Sequence, residues 1–281
     1  MRACKVGGPA RLPSKALRPL LLGLAALIGA GAPASAPAQA PCQPPDNEKR
    51  VAGGNECLVI RTFRPATPAP APMLLVFIHG DLSGGGPADY IYERAREAVA
   101  DGRVVVGLLR PGYGDGGAQS TGDNFERNDS YTAHNVDAVA AAIKTLSEHH
   151  RASHVVLVGH SGGAAISGVI LGRHPGLAAG AVLAACPCDL AAWRTGRRPW
   201  RQSLSPDDFG KRVSAGTRVI AVTGDKDDNT RPILAEGYAK TLAKRGIPAR
   251  FVLVPGAGHN DVMRRPELRA AIDDVVSQLG R

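Results

Sequence analysis

The chain is 281 residues long, enough for one large domain with a substantial core, and its formal charge of +9 at first suggests an anionic partner. Five of those charges (Arg2, Lys5, Arg11, Lys15 and Arg18) precede an apolar run over Pro19–Ala32, and residues 1–40 hold no Asp or Glu. The rest of the chain carries only +4, which removes the main support for a nucleic-acid partner.

From the N-terminus, a basic leader, a short apolar segment and small-residue sites such as Ala36-Pro37-Ala38 predict a signal peptide over 1–40, and a secreted or periplasmic mature protein. A spanning helix needs about 20 apolar residues, so no stable membrane anchor is expected once the leader is removed. Cys4 lies in the leader, leaving Cys42, Cys57, Cys186 and Cys188, which fits an oxidising compartment. Four cysteines allow three pairings, and the sequence does not choose among them. A Cys42–Cys57 link would close a loop worth about 3 kcal/mol in the chain-entropy model. Cys186-Pro187-Cys188 reads as a second disulfide or as two structural thiols. Zinc is disfavoured there, because no second ligand pair stands at suitable spacing.

Residues 41–72 read as a polar entry segment, an edge strand over Leu58–Phe63 and a proline-rich loop from Pro65 to Pro72. The main domain is expected over 73–281. Met73–Ile78 is an unbroken apolar run, as in a strand buried on both faces. Val104–Leu109, Val155–Val158, Ala181–Ala185, Val219–Val222 and Phe251–Val254 repeat it. Helical spacing joins Val136, Val139, Ile143 and Leu146, then Leu234, Tyr238 and Leu242, and finally Leu268, Ile272, Val275 and Leu279. The alternation predicts an α/β fold: a mostly parallel sheet with helices on both faces, its ligands bound beyond the carboxyl ends of the strands.

The segments after those ends carry the chemistry. Gly159-His160-Ser161-Gly162-Gly163 joins a strand to a helix in a sharp turn, which lifts the Ser161 hydroxyl out of the sheet at a helix N-terminus. His160 is expected to point away from Ser161 along the turn. His79-Gly80-Asp81 opens a glycine-rich loop able to aim a backbone N–H above Ser161, with the Gly162 N–H as its partner in an oxyanion hole. Arg110 to Asp115 reads as rim structure. Tyr113 within it is a candidate substrate contact, its other reading being a packed loop tyrosine. Asp225, Asp227 and Asp228 follow another strand and precede His259, the histidine set on a glycine-flanked loop at the end of the last strand. The order serine, acid, histidine suits acyl transfer: His259 takes the Ser161 proton, a carboxylate holds the imidazole tautomer, and water later cleaves the acyl-enzyme. Neither a metal nor an organic cofactor is required.

With these residues in place, the chain resembles the α/β-hydrolase superfamily from about Leu58 to Leu279, through His79-Gly80, Arg110-Pro111-Gly112-Tyr113-Gly114, the Gly159–Gly163 turn, Gly224-x-x-Asp227 and Gly258-His259. The C-terminal third is most similar to the prolyl-oligopeptidase and dienelactone-hydrolase branch, although the latter's cysteine nucleophile is absent. The resemblance implies that Asp227, three residues after a strand-terminal glycine, is the acid. It also implies that the backbone of Asp81 supplies the second oxyanion donor. His79 is a further candidate substrate contact. The stretch at about 186–215 is expected to form a small cap, with Trp193, Trp200 and four arginines within nine residues. That cap is expected to favour aromatic or anionic substrates, a solvated amphipathic loop being the other reading. The predicted function is an exported serine hydrolase of small-molecule carboxylic esters. A peptidase using the same triad and a catalytically silent binding module are the alternatives.

Overall fold

A computed structural model of the protein describes Cys42 and residues 45–280. The expected signal peptide and its cleavage sites lie outside these residues. Eight strands form one sheet: β1 (Arg50–Gly53), β2 (Glu56–Phe63), β3 (Met73–Ile78), β4 (Arg103–Leu108), β5 (His154–His160), β6 (Gly180–Ala184), β7 (Arg218–Gly224) and β8 (Ala249–Val254), in the order β1-β2-β4-β3-β5-β6-β7-β8. β1 and β2 pair antiparallel, as do β2 and β4, and every other pairing is parallel. This is the α/β-hydrolase fold.

The apolar runs become the sheet because each of their side chains finds a buried face. Along β3, Leu74, Val76 and Ile78 enter one core cluster, while Leu75 and Phe77 enter the other. The first cluster is closed by α2 (Ala133–His149), α3 (Gly162–Arg173) and α6 (Pro232–Lys244), and the second by α1 (Tyr90–Glu97) and α7 (Pro266–Leu279). The apolar stripes read from the sequence are the faces these helices bury: Val136, Val139, Ile143 and Leu146 are all fully buried.

Two differences from the sequence reading concern the sheet's edges. The segment read as a polar entry contributes β1, an edge strand whose Val51 is fully buried. β8 is not buried on both faces but forms the opposite edge, with Leu253 49% exposed. An edge strand has one flank open, and α6 packs against the face of β8 that carries Ala249 and Phe251.

Parallel register aligns the strand ends: Ile78 stands opposite Gly159, Gly159 opposite Leu183, and Gly224 opposite Val254. The loops after β3, β5, β7 and β8 therefore open on one rim. The excursion between β6 and β7 folds over that rim and contains two short helices, α4 (Leu190–Trp193) and α5 (Pro206–Phe209). The cysteines pair as Cys42–Cys57 and Cys186–Cys188. Among the described residues no helix is long and apolar enough to cross a membrane.

Candidate active site

The turn between β5 and α3 is built around a strained residue. Ser161 has φ 52° and ψ −116°, a conformation that residues with a side chain rarely adopt. The glycines on either side permit it. A Cβ on Gly159 would lie 2.5 Å from the Gly163 carbonyl oxygen, and one on Gly163 would lie 2.1 Å from that of Ile78. Strand and helix can therefore approach closely only where those two side chains are absent.

Three side chains from three loops meet here. The Nε2 of His259 is 3.0 Å from Ser161 Oγ, and its Nδ1 is 2.9 Å from Asp227 Oδ2. A carboxylate only accepts, so Nδ1 carries the proton and Nε2 is left bare towards the serine hydroxyl. Asp227 is held in turn: its Oδ1 accepts from the N–H groups of Asn229 and Thr230 at 3.0 and 2.8 Å, and Thr230 Oγ1 lies 2.8 Å from Oδ2. Burial alone would raise the Asp227 pKa, but bonding to His259 and Thr230 outweighs it and holds the carboxyl below its ordinary range. Asp225 instead caps the Gly256 N–H at 2.7 Å, and Asp228 is exposed. Thr230 was not foreseen from the sequence. Its Oγ1 also reaches the Ala185 carbonyl at 2.9 Å and so ties the acid loop to the end of β6.

The loop after β3 lies against the serine: a Cβ on Gly80 would stand 2.9 Å from that of Ser161. Among the described residues, neither the Asp81 N–H nor the Gly162 N–H has a partner within the protein. The carboxylate of Asp81 is an unexpected neighbour for a developing anion, and the structure supplies the counterion. The buried guanidinium of Arg110 donates to Asp81 Oδ1 at 2.6 Å and to the Gly80 carbonyl at 3.1 Å, and the Tyr131 hydroxyl bonds Asp81 Oδ2. A Cβ on Gly162 would stand 2.7 Å from both Asp81 Oδ1 and the Tyr131 hydroxyl, so this network packs directly beneath the turn.

His79 and Tyr113 do not reach the space above Ser161. His79 is wholly buried; its Nε2 accepts the Arg110 N–H at 3.0 Å and its Nδ1 donates to the Gly80 carbonyl at 2.7 Å. Burial, reinforced by the charge of Arg110, keeps it neutral, with a pKa well below the usual imidazole value. Tyr113 packs edge-on against His79, with ring centroids 4.5 Å apart. Both fasten the rim together: His79 satisfies neighbouring backbone groups, and the Tyr113 hydroxyl lies 3.4 Å from Asp81 Oδ1.

His160, expected to point away from Ser161, makes no hydrogen bond to it and links two loops. Its Nε2 lies 3.2 Å from the His259 carbonyl oxygen and its Nδ1 lies 2.8 Å from the Tyr90 hydroxyl, which accepts the Gly80 N–H at 2.7 Å. A carbonyl only accepts, so Nε2–H donates to it, and Nδ1 takes the Tyr90 proton. Burial is the main cause that lowers the His160 pKa to about 4.

Above Ser161 opens a cleft of about 560 Å³. Asp81, Tyr90, His160, Ser161 and His259 form its floor, and Trp193, Arg194, Arg197 and Trp200 form the wall given by the excursion. Arg198 and Arg201 do not border it. The indole N–H of Trp193 donates to the Asn229 carbonyl at 2.9 Å, fixing that wall to the acid loop. The arrangement has the parts needed for acyl transfer: a hydroxyl bonded to an oriented imidazole, a buried carboxylate behind it, and free N–H groups beside the serine.

The prolyl oligopeptidase family model matches residues 114–275, more than half of the 281-residue chain. No curated protein matches the chain by sequence. Among solved structures, Est1E from Butyrivibrio proteoclasticus with bound ferulic acid superposes with TM-score 0.64 at 14% identity, covering 83% of this chain and 99% of that one. The proline iminopeptidase of Mycobacterium smegmatis superposes with TM-score 0.63 at 15% identity, covering 83% and 98%. The dipeptidyl peptidase 4 of Porphyromonas gingivalis matches with TM-score 0.57 at 16% identity over 76% of this chain and 33% of that one.

Proposed function

The chain belongs to the prolyl oligopeptidase family, and we propose that it is a serine hydrolase cleaving carboxylic esters through an acyl intermediate on Ser161. The observation that carries this reading is the Asp227–His259–Ser161 chain, with contacts of 2.9 and 3.0 Å beneath an open cleft. As Ser161 Oγ bonds to the substrate's carbonyl carbon, its proton passes to His259 Nε2, and Asp227 stabilises the imidazolium that forms. The carbonyl oxygen becomes an oxyanion and takes the N–H groups of Gly162 and Asp81. His259 then returns the proton to the departing alkoxide, leaving the acyl-enzyme. Water, deprotonated by His259, attacks that carbonyl, and the acid departs as Ser161 recovers its proton.

Ester is favoured over aminopeptidase chemistry by the cleft's charge. A free N-terminal ammonium needs a carboxylate to receive it. The two acids bordering the cleft, Asp81 and Glu93, are already paired with Arg110 and Arg94 at 2.6 and 2.7 Å. The two disulfides support action in an oxidising compartment, in keeping with the expected leader.

The test is turnover of a para-nitrophenyl ester against the matching aminoacyl para-nitroanilide, together with fluorophosphonate labelling of wild type and Ser161→Ala. Rapid ester turnover and labelling that disappears in the variant are expected. Comparable anilide turnover would favour the peptidase, and absence of labelling would leave a binding module.

A further inference from the structure

The cleft carries more positive charge than its own carboxylates neutralise. Arg94, Arg127, Arg194, Arg197 and Arg264 border it, against Asp81 and Glu93. Glu93 is paired with Arg94, and Asp81 with the buried Arg110. Among the described residues, the four remaining guanidiniums have no carboxylate within ion-pair distance.

Two of the four are held in place by neutral acceptors. Arg127 donates to the carbonyls of Leu82 and Gly86 at 2.9 and 3.2 Å, and Arg194 Nε donates to the Arg198 carbonyl at 2.9 Å. A carbonyl orients a guanidinium without cancelling its charge. Arg194 also lies 5.2 Å from the ring centroids of both Trp193 and Trp200. Those tryptophans pack edge-on against each other, and Trp200 packs edge-on against Tyr131, each pair with centroids 5.1 Å apart. The indoles therefore present a cation to the cleft in place of an open stacking face. Of the two substrate classes expected from the sequence, this geometry favours the anionic one. The wall is also fixed: the carboxylate of Asp129 accepts the backbone N–H groups of Arg201, Gln202 and Ser203 at 2.8–3.1 Å. Charges held this way need little reorganisation when an anion binds.

We propose that Arg127, Arg194 and Arg197 form an anion subsite, so that the preferred substrates are esters bearing a free carboxylate on the part of the molecule lying beneath the excursion. The proposal rests on the serine-hydrolase reading. It makes the charge of the substrate, more than its aromaticity, the property selected.

The experiment uses two matched pairs: para-nitrophenyl pentanoate against mono-para-nitrophenyl glutarate, which places the carboxylate on the acyl side, and phenyl butyrate against para-carboxyphenyl butyrate, which places it on the leaving group. In at least one pair the anionic member should be preferred in kcat/KM by about tenfold or more, the scale of one charge-assisted hydrogen bond. That preference should shrink with added salt, fall in Arg194→Ala and reverse in Arg197→Glu, an exposed site where folding is not at risk. Lys211→Ala removes an exposed cation of the same excursion that does not border the cleft, and should leave the ratio unchanged. Equal rates within both pairs, or a preference that survives both arginine variants, overturns the subsite. Fluorophosphonate labelling of Ser161 separates the two failures: labelling with equal rates overturns only the subsite, whereas no labelling and no turnover overturns the hydrolase reading with it.

Discussion

The Nε2 of His160 donates to the backbone carbonyl of His259 at 3.2 Å, so the residue before the candidate nucleophile holds the loop that carries the candidate base. The same imidazole receives the Tyr90 hydroxyl, which itself holds the Gly80 N–H. One uninterrupted chain of hydrogen bonds thus joins the oxyanion loop, the nucleophile turn and the base loop.

Tyr90→Phe removes the middle link and leaves two buried polar groups unpaired. It should lower kcat by about tenfold while changing KM by less than about twofold, because the groups it releases position the reacting atoms more than they bind substrate. Steady-state kinetics decide this. A change confined to KM would place Tyr90 in substrate binding alone.

His160 also gives the fold a pH dependence. Its pKa falls from 6.5 to about 4 on folding, chiefly through burial, so between those values the unfolded chain binds the extra proton. The stability it contributes is present above about pH 6.5, drains as the pH falls and is gone by about pH 4, a loss of about 3 kcal/mol across that window. Tyr90, His79, His259, Asp81 and Asp227 also surround this site, so the measurement is a difference. Denaturant midpoints of wild type and His160→Gln at pH 7 and pH 4.5 should diverge, the variant losing less on acidification.

Asp227→Asn keeps the size of the side chain but lets the amide bond His259 in the wrong tautomer. It should cost about 10³-fold or more in kcat. Thr230→Val, which removes one support of that carboxylate, should cost about tenfold, with folding intact by circular dichroism. A Thr230→Ser variant should recover most of that loss.

Gly163→Ala tests the close packing beneath the turn. The new Cβ would meet the backbone carbonyls of Ile78 and His79 at 2.1 and 2.5 Å, and neither can move without disturbing β3. Destabilisation of about 3 kcal/mol is expected. Gly84→Ala, where the added carbon meets nothing within 4 Å, is the control and should change little in thermal denaturation.

The disulfides should differ in worth. Cys42–Cys57 spans 15 residues and removes about 3 kcal/mol of loop-closure entropy from the unfolded chain. Cys186–Cys188 spans 2 residues and constrains the unfolded chain far less. Replacing the first pair with alanine should lower the denaturant midpoint well below the effect of loop closure at the second.

Much of this protein was legible before its structure. The apolar runs at Met73–Ile78 and Val155–Val158 read as buried strands because they are short and lie between turn-rich or helical segments, and both are strands. Glycines at 159 and 163 marked a turn that tolerates no Cβ, and chain order singled out Ser161, His259 and one of Asp225, Asp227 and Asp228, among which only the family resemblance chose Asp227; the structure brings Ser161, Asp227 and His259 together. The readings that failed were of another kind. His79 stands where a substrate contact was expected but is consumed in satisfying the rim's own backbone, and Tyr113 takes the other of its two readings, packed against His79. β8 carries an apolar run yet lies at an edge.

Local sequence determined the central strands, the main helices and the turn that carries Ser161, because periodicity and glycine placement act over a few residues. Tertiary structure alone decided strand order, the counterion of Asp81, the link from Tyr90 through His160 to His259, and which arginines face the cleft. Those contacts join positions separated by 29, 70 and 99 residues, and chain-local patterns carry no signal across such distances. The partner of a buried polar group is fixed by which strand ends share a rim, and that is settled only when the sheet has assembled.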